Sequence, residues 1–181
     1  RDYVAWTVAR AGPACSFVAA VGSIGMMRIS ALVRRINVPP TYRALLFSSN
    51  MEVVLSVLAY IALLTHLFVF DPRAPGPSLL DALFGPEPPV LVVYLMLLIL
   101  WDICYRIGTG WWASVTGLWR SFRFRFDPDT ARVFQRADIE TWGFGVLQLV
   151  LVPFVLTQRV LLAALLAHVA AVTVVTGISV A

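Results

Sequence analysis

VLVVYLMLLILWDICYRIGTGWW, residues Val90–Trp112, decides how this chain is read. Twelve residues pass before its first charge, Asp102. At a helical rise of about 1.5 Å per residue, the run from Val90 to Ile107 has nearly the length that a hydrocarbon core of roughly 30 Å demands. Water does not suit so long an apolar run, and a bilayer does.

Four further stretches extend this reading in both directions. On the N-terminal side, about 48–70 is strongly apolar from Met51 onward, and about 14–33 is a weaker span rich in Ala, Gly and Ser. On the C-terminal side lie about 139–156 and 160–180, joined by the tight turn Thr157–Arg159. The expectation is an all-α, polytopic transmembrane helix bundle of five spans in a single integral membrane domain, 1–181. The count falls to four spans if 14–33 lies in the interface. Composition agrees: 60% hydrophobic residues and 13% charged ones, against the roughly 45–50% apolar content of soluble domains.

Punctuation between the runs is explicit. Pro39 and Pro40 end the first helix and open the next, while six prolines and two glycines between Asp71 and Pro89 place a loop outside the bilayer. Inside that loop Ser78 can cap a short turn beginning at Leu79. Asp127 followed by Pro128 is an N-cap with proline at the first helical position, so another helix starts there. Pro153 should kink it near its far end. Gly108 and Gly110 should loosen the helix that began at Val90. After them Trp111, Trp112, Val115, Leu118, Trp119, Phe122 and Phe126 recur at spacings of three and four, the pattern of an interfacial amphipathic helix at about 111–126. In that reading Trp111, Trp112, Trp119, Arg120 and Arg123 contact lipid headgroups. The competing reading extends the third helix into the cytoplasm.

Arginine alone supplies the basic charge, and it is unevenly placed. Three arginines fall in 34–43 and five in 120–136, whereas the proline-rich loop has only Arg73 against Asp71, Asp81 and Glu87. The positive-inside rule puts the two arginine-rich segments, and with them the C-terminus, in the cytoplasm, most simply of a prokaryotic cell. Residues 1–10 lack the compact apolar core and small-residue cleavage site of a secretory signal. The net charge of +4 sits in short loops, which fits membrane lipids as partners and speaks against nucleic acid.

Five charges fall toward one leaflet within or beside the spans: Arg28, Glu52, Asp102, Arg106 and Glu140. Asp102 is the deepest, about 18 Å from Val90 along the helix, with Arg106 one turn on as its nearest partner. Intramembrane carboxylates cost free energy unless paired or hydrated, so the five form a candidate polar cluster around a cytoplasm-facing cavity. Internal ion pairs that fix helix register explain the same residues without a solute. Ser48, Glu52 and Ser56 share a face of the second span, and Thr141, Gly145 and Gln148 one of the fourth. No catalytic or metal site is expected: Cys15 and Cys104 lack ligand spacing, and there is no HExxH, GxSxG or P-loop. No cofactor is expected either, since His66 and His168 fall at mismatched depths for one haem.

These features fit a structural or accessory subunit that assembles with copies of itself or with other membrane subunits, using small-residue helix faces. The alternative is an oligomeric channel or transporter for an ion, proton or small anion. A lipid-headgroup enzyme is a third reading.

Overall fold

The apolar runs have little choice of structure, because a backbone in hydrocarbon must satisfy its own hydrogen bonds and a helix does so within one segment. A computed structural model describes residues 2–47 and 49–180, with side chains described for 13–47 and 50–180. Ser48 thus lies outside the described residues, and Ser49 is described as backbone alone. Every regular element among the described residues is helical, and five helical stretches are long and apolar enough to cross a membrane: Pro13–Arg35, Pro40–Arg73, Val90–Arg123, Pro128–Val155 and Arg159–Val180. The fold is an all-α bundle.

In chain order the helices are α1 (Asp2–Arg35), α2 (Pro40–Leu46), α3 (Ser49–Thr65), α4 (Leu79–Phe84), α5 (Val90–Arg123), α6 (Pro128–Leu147), α7 (Val152–Val155) and α8 (Arg159–Val180). Proline opens α2 as expected, but the helix pauses at Phe47 (φ −98°, ψ 24°) before α3 begins. A π-helical turn, His66–Phe70, carries α3 into the proline-rich loop. There Ser78 Oγ accepts the Asp81 N–H at 3.0 Å and starts α4. Asp127 caps α6, accepting the N–H groups of Asp129 and Thr130. Pro153, which has no N–H to donate, follows a 3-10 turn at Gln148–Leu151 that divides α6 from α7.

One expected break is absent. The helix begun at Val90 runs unbroken to Arg123, through Gly108 and Gly110 and through the whole aromatic stretch. Gly108 does not loosen the helix; it lets α3 approach. A Cβ there would lie 2.7 Å from the Ser56 backbone nitrogen and 3.0 Å from the Glu52 carbonyl oxygen. The segment expected as a separate interfacial helix is therefore the second half of α5; Trp111 and Trp112 turn toward other helices, while Val115, Trp119 and Phe122 stay exposed.

α5 is the common neighbour: α3 packs along it on one side, α8 and α6 on another, and α1 lies chiefly against α6. Specific contacts fix the axial register. Trp111 of α5 donates to His168 of α8, and Gly117 of α5 lies beside Ser179, so Arg159 at the start of α8 stands between the levels of about Leu97 and Asp102. The first seven to twelve residues of α5 thus project roughly 10–18 Å beyond the N-terminal end of α8. Tyr60 Oη donates to the Leu97 carbonyl, which carries α3 along the same projecting stretch. The α3/α5 hairpin and the α6/α8 hairpin are staggered.

Buried apolar side chains gather at the opposite, arginine-rich end. Ile29, Val33, Val38, Tyr42, Phe134 and Ala137 form a core there, with Phe124, Phe126 and Phe144 packed against it. Along the projecting hairpin the large apolar side chains face outward instead, Val90 at 85% and Leu91 at 67% exposure.

Candidate functional site

Within the core at the arginine-rich end lies the most enclosed charge among the described residues. Arg120 reaches inward from α5 with its side chain 8% exposed and pairs with Asp138 of α6, 12% exposed. Tyr42 of α2 accepts a hydrogen bond from Arg120 at 3.0 Å, and Ser179 of α8 donates to the same Asp138 oxygen that Arg120 holds. The Phe134 ring lies 4.2 Å below the guanidinium carbon. Four elements are tied together by one ion pair. Burying two charges is tolerated because each is paired and further hydrogen-bonded. Gly117 makes room for it, since a Cβ there would come within 3.1 Å of Asp138 Oδ1.

This placement corrects the expectation for Arg120, which the helical stripe assigned to lipid headgroups. Arg123, one turn on, does face outward. Trp111 and Trp112 also turn inward: the Trp111 indole donates to His168 Nδ1 at 2.8 Å, and that of Trp112 to the Leu45 carbonyl at 3.0 Å. Trp119, 40% exposed, has one face on Tyr42 at 6.3 Å between centroids. Asp138 went unread as a site residue, although a signal existed. It extends the polar face of Thr141, Gly145 and Gln148 one turn toward the helix start.

The five charges expected to share one cavity are dispersed. Asp102 and Arg106 form a two-pronged pair on α5, at 2.9 and 2.8 Å. Arg106 packs its Cδ near Gly22 of α1 and lines a void of about 50 Å³ among α1, α5, α6 and α8. Glu140 pairs with Arg136 at 2.9 Å on the outer face of α6, and Arg28 is exposed on α1. Glu52 stands apart from all of these. Asp102 keeps 43% of its side-chain exposure, so it is reachable from outside the bundle.

Glu52 lines a cleft of about 590 Å³ between α1 and α3. Tyr105, Thr109, Trp112 and Ala113 of α5 form its floor, α2 closes one end, and the Arg120–Asp138 pair forms part of the inner wall. A volume of this size suits a drug- or lipid-sized ligand. Four charged residues line it: Arg34, Arg120, Glu52 and Asp138. The Arg120–Asp138 pair is self-neutralised. Neither Arg34 nor Glu52 is within ion-pair distance of an opposite charge among the described residues.

His66 and His168 are too far apart to share a ligand. His66 follows Tyr60 by six residues away from the arginine-rich end, while His168 bonds to Trp111, an axial separation of roughly 25 Å. Among the described residues no three His, Cys, Asp or Glu side chains converge on a metal position.

No curated protein and no solved structure matches the chain. A family model does match residues 1–179, and the chain belongs to that family, described as a family of unknown function (DUF7530).

Proposed function

We propose that the protein is a small, non-catalytic helical subunit that assembles laterally in the membrane with copies of itself or with other membrane helices. The observation that carries this reading is the stagger of its two hairpins. The projecting stretch of α5 leaves large apolar side chains uncovered, Val90 at 85% and Leu91 at 67% exposure. The projecting stretch of α5 offers Val90, Leu91, Tyr94, Leu95, Leu98 and Ile99, all exposed, to a neighbouring helix.

The dispersal of Arg28, Glu52, Asp102, Arg106 and Glu140 gives less support to a channel vestibule or a headgroup-processing enzyme built on that cluster. Either function would need those charges to converge on one substrate. In the proposed orientation the arginine-rich end, with the C-terminus, faces the cytoplasm.

The test is the native mass after gentle extraction from the membrane. A defined complex larger than one 20.0 kDa chain is expected. A monomer in both mild detergent and lipid nanodiscs would refute the assembly.

A further inference from the structure

We propose that the cleft between α1 and α3 binds a zwitterionic phospholipid, with the headgroup ammonium on Glu52 and its phosphate on Arg34. This goes beyond the assembly reading and does not depend on it.

The charges of the cleft define the complement. Its lining holds two arginines and two carboxylates, and Arg120 with Asp138 cancel one of each. What remains is one cation and one anion, Arg34 and Glu52, in the same cleft but not paired with each other. An anionic headgroup would leave Glu52 unmatched, and a simple amine would leave Arg34 unmatched. A headgroup carrying both signs satisfies both, and removes the cost of an unpaired carboxylate beside hydrocarbon.

Local chemistry supports the direction of the headgroup. Tyr105 and Trp112 line the cleft with Glu52, and aromatic rings attract an ammonium group as a carboxylate does. The Trp112 indole is held in place by its bond to the Leu45 carbonyl, so this wall is formed before a ligand arrives. Arg34 is steadied by Ser30 Oγ, which accepts from its Nε at 3.2 Å, and by the Phe47 ring 4.5 Å from its guanidinium carbon. Both contacts leave its terminal amino groups for phosphate, which a guanidinium binds with two parallel bonds. Met26, Ile29, Val33 and Leu46 supply apolar wall for the adjoining hydrocarbon.

The experiment uses the full chain in nanodiscs made from equal amounts of phosphatidylethanolamine and phosphatidylglycerol with the same acyl chains. Native mass spectrometry then reads the lipid retained by each protein molecule. The wild type is expected to retain phosphatidylethanolamine over phosphatidylglycerol by roughly tenfold, the value of one charge-assisted contact. Glu52→Leu should abolish that preference, and Arg34→Gln should lower retention of both lipids. Ala31→Leu, which keeps every charge and narrows the cleft, should also lower retention. Equal retention of the two lipids by the wild type, a preference for phosphatidylglycerol, or an unchanged preference in Glu52→Leu would each overturn the proposal. If Glu52→Leu does not fold, the wild-type preference and its loss of bound lipid in Ala31→Leu still decide.

Discussion

The arginine-rich end and the projecting α3/α5 hairpin of this bundle are held together by different physics. At the first end, Tyr42, Phe134, Ile29 and Val33 are buried as in a soluble protein, and a hydrogen-bonded ion pair links α2, α5, α6 and α8. In the hairpin, many apolar side chains point outward, and α3 is joined to α5 by the Tyr60–Leu97 hydrogen bond and, further along, by close backbone approach at Gly108. The lesson is that the two ends should fail in different ways. Losing a charge should damage the first end, and adding a methyl group should damage the second.

The largest effect is expected from Asp138→Leu. It strands Arg120 without its partner in a buried site, a loss of about 3–5 kcal/mol in unfolding free energy. Adding Arg120→Met to that variant should restore most of the loss, because two apolar groups replace a balanced pair. Titration with a denaturing detergent in mixed micelles measures both. A single-variant loss that the double variant does not recover would mean that the pair does more than cancel itself.

Gly108→Ala comes next. Its Cβ would press on the Ser56 backbone, which cannot yield as a side chain can, at a cost of roughly 1–3 kcal/mol. Gly110→Ala has nothing within 4 Å of the new carbon and should instead stabilise by up to about 1 kcal/mol, since alanine is the better helix former. The same titration separates the two signs. Opposite results would place the close approach elsewhere on α5.

The smallest effect concerns the link between the halves. Hydrogen bonds from Thr130 hold the Asp127 carboxyl below the usual aspartate range. A depressed folded pKa means that the stabilisation is complete above the unfolded value and disappears as pH falls through the folded one. Asp127→Asn should therefore be slightly less stable than the wild type at neutral pH, with the difference disappearing in acid, so that the acid limb of its stability profile is flatter. A change centred near neutral pH would point to another group.

The same contrast explains what could be read in advance. Apolar length and proline punctuation are local properties, so the five spans, the turn capped by Ser78 and the start of α6 at Asp127 and Pro128 were legible in the chain. The aromatic stripe from Trp111 to Phe126 was legible as a helix, but not as the continuation of α5. A stripe records that one face is buried and does not say whether lipid or protein buries it. Arg120 was misassigned for the same reason, since only its partner Asp138, 18 residues away, reveals which way it points. The axial stagger lies in contacts such as Trp111 with His168, 57 residues apart, and no spacing within a single helix encodes it.

Whether the projecting hairpin is covered by protein can be measured with a photo-crosslinking amino acid placed at Leu95 on α5 and, for comparison, at Leu166 on α8, which are 49% and 48% exposed. Irradiation in the native membrane should give protein adducts from Leu95 and lipid adducts from Leu166. Lipid adducts alone from both positions would contradict lateral assembly through the α3/α5 hairpin.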